Sequence, residues 1–393
     1  MHEWESEAQI EFDKAFINRG GLYYLSSFHP EDREAARLFR ANVQEYLDEL
    51  CAGEGLKERG MKIHFDFLNN IDFDASAKST KDGSLHFIGI SIGLYQRLFA
   101  MMESFIASTD LFNEIEGVDP NASEKKIPAT AILNKTLPEV AQIYHRIPSG
   151  TVRSHLSYAC WYMMLQYIVY HELAHILTGH TAYLNGQAQG ELALGENGEG
   201  QYLGEIIRKG VDEGMLIINE RQAMEIDADE HAVYWSIIDF VRGNCKIFPQ
   251  KGLKLPLNIY MRLLTYSLGL MVHFWDEYNG HFPIMKSLLE YNERHHPHNE
   301  IRFNWMYSAM ISSLEKDITD YGNSIDWGIQ GALPGIVVAI ERHLEIPAFP
   351  TSFHPDNEEK VVKKVMKTIN DEILPDFRKN WKSYKMIPDH PMA

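Results

Sequence analysis

Residues 160–177 read CWYMMLQYIVYHELAHIL. No proline or glycine interrupts the run, and nothing charged precedes His171, so it reads as a helix buried in a core rather than laid on a surface. Helical periodicity begins upstream, at Thr151, and holds to Leu177. Residues 171–175 are His-Glu-Leu-Ala-His. Positions i and i+4 of a helix project from one face, so both imidazoles reach a single metal ion. Glu172 stands about 100° further round the helix, where it touches a water on that metal without being a ligand. A rigid, mostly apolar helix is the scaffold that a catalytic metal requires.

A bare His-Glu-x-x-His arises by accident in roughly 5–10% of chains this long and this rich in His and Glu. A third ligand decides the matter. The metzincin arrangement, with a histidine six residues after the second, is excluded because Thr178 and Thr181 stand in its key places. His180, just after Gly179, reads better as a helix-terminal histidine near the last carbonyls than as a ligand. The alternative is a carboxylate from a second helix. Residues 225–229 are Glu-Ile-Asp-Ala-Asp. Glu225 and Asp229 face the same way, and Ala228 is small enough to let two helices approach closely. Glu225 as third ligand, with Asp229 orienting a ligand imidazole, completes a catalytic site. The plainer reading is an acidic helix face, since Glu225, Asp227, Asp229 and Glu230 crowd together. The sequence continues as HAVYWSIIDFV, however, so one side of this helix is buried and the ligand reading is favoured. Further on, residues 296–302 read His-Pro-His-Asn-Glu-Ile-Arg. Pro297 suits a first helical turn, and His29-Pro30 and His354-Pro355 are similar starts, so His-Pro alone carries little information here.

The chain has 393 residues, of which 45% are apolar and 23% charged, as befits a folded globular protein with a sizeable core. Its formal charge of −18 argues against nucleic acid and against an anionic membrane surface as partners. The most apolar stretches, Leu156–Tyr170 and Leu263–Trp275, are too short to span a bilayer. The start, MHEWESEAQIEFDK, has no secretory pattern, and Cys51, Cys160 and Cys245 form neither a disulfide framework nor a metal spacing. A cytoplasmic setting without membrane insertion is expected.

The remaining elements follow the metal motif outward. A helix is predicted over 31–50 behind His29-Pro30. MKIHFDFLNNIDFDASA and SLHFIGISIGL, separated by Lys81-Asp82-Gly83, suggest a hairpin or part of a small sheet, and a helix follows at 95–108. The stretch 113–150 reads as a linker or substrate-side loop. The glycine-rich 183–204 reads as irregular, either a lid or a plain flexible loop. A long helix is predicted from about Asp212 to Val241, with further helices over 256–275, 283–293, 298–316 and 334–344. An amphipathic helix over 357–384 reads as a packing or oligomer face. The fold class is α+β, mainly helical with a small N-terminal sheet or hairpin. It divides into an N-terminal α/β region (1–150), a catalytic core (151–310) and a C-terminal helical region (311–393).

Together the motifs resemble the gluzincin metallopeptidases, most closely the soluble relatives of the M48 type, in which HExxH is followed by ExxAD and then HPxxxxR. The β-rich region ahead of a helix and the zinc helix is also similar in layout to the Lit-type phage-exclusion peptidases, bacterial enzymes that cleave a host cytoplasmic protein. The motif resemblance covers the middle of the chain, the first 150 residues match in layout only, and the C-terminal part not at all. The resemblance implies a zincin-like fold and Zn2+ held by His171, His175 and Glu225, with Glu172 as the base. It places Asp229 behind a ligand histidine, His296 near the scissile carbonyl, and Arg302 as a support or a substrate-carboxylate contact. The implied activity is zinc-dependent endopeptidase action on a soluble intracellular protein or peptide, the substrate adding as a strand to a sheet edge for which SLHFIGISIGL is the candidate. Many relatives of this type are membrane-embedded, and the missing span favours a soluble substrate. Two rivals stand beside this. One is a regulatory or phage-defence protease with a single substrate. The other is a non-catalytic interaction protein in which zinc staples two helices, against which Glu172 speaks, since a structural site needs four ligands and no base.

Overall fold

In the computed structural model, the run that ends in His-Glu-Leu-Ala-His is a 26-residue helix, Val152–Leu177. The structure describes residues 3–108, 118, 132–141, 151–192, 206–211, 214–241, 256–278, 302–310 and 364–386. Every residue from Met163 to Ala174 is buried, as the charge-free run requires. Thr151 caps the helix, its hydroxyl accepting the Ser154 N–H at 3.2 Å.

In chain order the principal elements are α1 (Glu3–Ala15), α2 (Pro30–Ala52), β1 (Lys62–Leu68), β2 (Ala75–Ser79), β3 (Leu85–Ser91) and α3 (Ile92–Ser108). Then come α4 (Val152–Leu177), α5 (His180–Leu192), β4 (Ile206–Val211), β5 (Gly214–Asn219), α6 (Glu220–Val241), α7 (Leu257–Tyr278) and α8 (Leu374–Trp381). The described chain is thus mixed α+β and mostly helical, with a small N-terminal sheet. Pro30 at the first turn of α2 confirms the start expected there. Helix 256–275 is α7, and residues 302–310 are helical within the expected 298–316. The helices expected at 283–293 and 334–344 lie outside the described residues, as does most of 113–150.

β2 and β3 form the hairpin expected around Asp82, whose carboxylate accepts from Thr80 Oγ1 at 2.6 Å and from Ser84 Oγ at 2.8 Å. The sheet order is β1-β3-β2, with β1 parallel and β2 antiparallel to β3. SLHFIGISIGL therefore supplies the central strand and not the edge. Burial on both faces from His86 to Ser91 is the physical reason, since a strand without a solvated face belongs inside a sheet. The edges are β1 and β2, and β2 is the one that lies against α4.

Two other expectations are corrected. The helix does not begin near Asp212: Met215-Leu-Ile-Ile belongs to β5, paired antiparallel with β4, and α6 starts at Glu220. A short apolar run fits strand and helix periods equally, and pairing decided it. The segment 183–204 is not irregular throughout, because α5 carries it as a helix to Leu192. Packing of Tyr183 and Leu184 into a core cluster with Ile373, Phe377 and Trp381 overrides the poor helix propensity of its glycines.

The tail is helical at 364–368, widens into a π turn at Ile369–Ile373 and continues as α8. Pro375 has no N–H and its ring crowds the carbonyl four residues back, which accounts for the widened turn before it. Ile369, Ile373, Leu374, Phe377 and Trp381 are all buried, so this segment packs on the rest of the chain. No helix among the described residues is long and apolar enough to cross a membrane.

Gly179 turns the chain between α4 and α5 with φ of 92°. A Cβ there would stand 2.6 Å from the backbone carbon of Tyr384. Gly179→Ala should therefore lower stability by about 1–3 kcal/mol, read from denaturant unfolding. A change within 0.5 kcal/mol would show that the turn tolerates a side chain.

Candidate metal centre

His171 and His175 leave the last turns of α4, and Glu225 leaves the second turn of α6. Buried alanines, Ala174 on α4 and Ala228 and Ala232 on α6, let such helices come close. His171 Nε2 lies 3.1 Å from His175 Nε2 and 3.2 Å from Glu225 Oε2, and His175 Nε2 lies 3.5 Å from Glu225 Oε1. Ligand atoms at 2.0–2.2 Å from one tetrahedral ion stand about 3.2–3.6 Å apart. The triangle thus has the size of three corners of such a site, and the group could hold a metal ion.

Charge favours a cation there. Burial works against a protonated His171, but its contacts with Asp229 and Glu225 outweigh burial and raise it to about 10. Burial, opposed by Glu225, takes His175 down to about 3, which leaves it as the neutral imidazole that ligates metals. Glu172 is pushed up to about 7 by burial, with the charge on His171 pulling the other way.

Asp229 lies beside His171. Its Oδ1 is 2.9 Å from His171 Nδ1, and it accepts the hydroxyl of Tyr167. Arg302 grips it with both arms, Nε to Oδ2 at 2.8 Å and Nη2 to Oδ1 at 2.7 Å. Arg302 is therefore a support for Asp229. Tyr167 is the tyrosine lining the cleft among the described residues, and its hydroxyl donates to Asp229, so it is not placed to donate to a substrate oxygen. His296 lies outside the described residues.

Sequence reasoning underrated His180. It opens α5 rather than ending α4, is fully buried, and sets its Nδ1 3.0 Å from His175 Nδ1. Asp227, read as one acid among several, lies 3.2 Å from His180 Nε2. The signal was present in a histidine after a glycine turn, but its partners are remote in sequence.

His171, His175 and Glu225 line a cleft of about 300 Å³. Ala75, Ser76 and Ala77 of β2 form one wall, Ile168, His171, Glu172 and His175 another, and Leu184 and Met224 add apolar surface. An ion pair between Arg19 Nη1 and Asp74 Oδ2, 2.6 Å apart, sits at the start of β2. Ser91 N–H bonds Asp74 O and Thr80 N–H bonds Leu85 O, so residues 74, 76, 78 and 80 pair with β3. Ala75, Ala77 and Ser79 then turn their N–H and C=O groups to the other side, where Asn185 Nδ2 donates to Ser79 O at 3.3 Å. The described cysteines are no rival nucleophiles, since burial raises the thiols of Cys51 and Cys160 to about 11 and about 12.

Compared with protein-family models, with curated proteins and with solved structures, the chain matches none.

Arg302→Met leaves the carboxylate of Asp229 buried without its cation. It should destabilise the protein by about 3–5 kcal/mol in equilibrium unfolding, whereas a loss below 1 kcal/mol would show that Asp229 does not depend on the guanidinium.

Proposed function

We propose that this chain is a zinc-dependent endopeptidase of the gluzincin type acting on a soluble intracellular protein. The observation that supports it most is one of placement: the buried carboxyl of Glu172 stands beside a His171–His175–Glu225 triangle on the wall of a cleft. Zinc bound there would polarise the scissile carbonyl and acidify a water. Glu172 takes the proton of the attacking water and hands it to the departing amine nitrogen. Burial raises its carboxyl above the ordinary carboxylate range, the direction that suits a group that must both accept and return a proton. Asp229, clamped by Arg302, keeps His171 turned toward the cleft. The oxyanion contact is assigned to His296 by the motif alone.

The edge of β2 supports a peptide substrate over a small molecule. Ala75 and Ala77 offer outward N–H and C=O groups along the cleft, as strand addition requires, and their small side chains leave room for a second backbone. A merely structural zinc would take four protein ligands, and three converge among the described residues.

The test compares the protein N-termini generated in cells that express the wild type or Glu172→Gln. The wild type should produce new N-termini that the variant loses, with turnover on the identified substrate reduced about 10²–10⁴-fold while zinc is retained. Identical sets of N-termini from both would contradict the catalytic reading. One cleaved protein, rather than many, would narrow the function to a regulatory or defence protease.

Ala77→Pro removes one outward N–H without touching the ladder to β3. On that substrate it should lower kcat/KM about two- to tenfold at unchanged fold stability. An unchanged kcat/KM would argue that the substrate does not align on β2.

A further inference from the structure

We propose that His180, Asp227 and Arg378 form a relay that positions His175 as a metal ligand, which makes the C-terminal segment 364–386 part of the metal site. The inference rests on the zinc reading above and concerns residues that none of the three motifs assigns.

His175 directs Nε2 toward His171 and Glu225, so its Nδ1 lies on the far side of the ring, 3.0 Å from His180 Nδ1. A ligating imidazole keeps its proton on the nitrogen away from the metal. His175 Nδ1–H therefore donates and His180 Nδ1 accepts, which puts the proton of His180 on Nε2. That nitrogen is sealed from solvent without an aligned hydrogen-bond partner, and its contact there is the carboxylate of Asp227, Oδ2 lying 3.2 Å away at ion-pair distance. Asp227 is held in turn from α8, where Arg378 Nε donates to its Oδ1 at 2.6 Å and Arg378 Nη2 to Glu230 Oε2 at 2.9 Å. One pattern of protons fits these contacts, with His180 Nε2–H turned to the Asp227 carboxylate, and it leaves His175 Nε2 with a lone pair pointed at the proposed metal position.

The two ligand histidines are thus supported by two aspartates of α6 through arms of different length. Asp229 meets His171 directly. Asp227 lies about 200° from Glu225 around the helix, off the face that meets the metal. A second imidazole spans the gap, delivered by the tight turn at Thr178 and Gly179. The C-terminal segment fixes that turn. Met386 N–H bonds Leu177 O at 2.8 Å, and Trp381 stands edge-on to His180 with ring centroids 4.7 Å apart.

The experiment is metal binding to the full chain. Wild type, Asp227→Asn, Arg378→Met and Arg378→Lys are titrated with Zn2+ against a chelating indicator, and the visible spectrum is recorded with Co2+. The melting temperature of each is measured before metal is added. Asp227→Asn and Arg378→Met should bind zinc about ten- to a hundredfold more weakly and shift the cobalt bands. Arg378→Lys should recover part of the loss, since it keeps the charge but not the fork. Phe39→Leu, buried in the main core and outside both the relay and the C-terminal segment, should lower the melting temperature without changing zinc affinity. Wild-type affinity in Asp227→Asn and Arg378→Met would overturn the relay, as would an equal loss in Phe39→Leu. Should the wild type bind no zinc, the zinc reading and the relay fall together. Should it bind zinc while the variants match it, the relay alone falls.

Discussion

Asp229 is a carboxylate without access to water, and the crossing of α4 and α6 is organised around it. A charge so placed would cost several kcal/mol if left alone. Burial works against its ionisation, yet the guanidinium of Arg302 and the ring of His171 hold it well below the ordinary carboxylate range. With the Tyr167 hydroxyl these groups meet its two oxygens from three directions. Satisfying Asp229 fixes the rotation of α4, because His171 must face it. One helical turn then sets His175, and the next position sets Glu172. The geometry of the His171–His175–Glu225 triangle, which could hold a metal ion, thus follows from a polar contact outside it.

The surroundings of α6 extend the same logic. Its acids do not form a solvated stripe. Asp229 is taken by Arg302, Asp227 and Glu230 by Arg378, and Glu220 by Asn380. Each partner comes from a segment far along the chain, so forming these contacts ties the C-terminal elements to the centre. Apolar packing divides in a parallel way. Ala232, Val233 and Ile237 join the main core with α4 and the sheet, while Ala223 and Ile226 join Ile369, Phe377 and Trp381. α6 is therefore a wall shared by two cores, with ionic groups at the seam.

Much of the site was legible because it is periodic. Histidines four apart on an uncharged run, then Glu225 and Asp229 four apart on an amphipathic one, are statements about helix faces that need no tertiary knowledge. The role of Arg302 was read only as far as its motif carried it, and its grip on Asp229 required the fold. What escaped the sequence depends on pairing or on remote partners. Met215-Leu-Ile-Ile satisfies a helix and a strand alike until β4 pairs with it. The glycines of α5 look like loop residues until Tyr183 and Leu184 find Trp381. SLHFIGISIGL has the composition of any strand, and its central position follows from having both a parallel and an antiparallel neighbour. His180 carries no distinguishing spacing, since Asp227 and Arg378 reach it only through folding.

The most direct test of the central claim is zinc stoichiometry and affinity of the chelator-free protein beside Glu225→Ala. The account predicts one zinc per chain in the wild type, and binding weakened at least a hundredfold when the Glu225 carboxylate is removed. Absence of zinc binding by the wild type, or binding indifferent to the loss of Glu225, would contradict it.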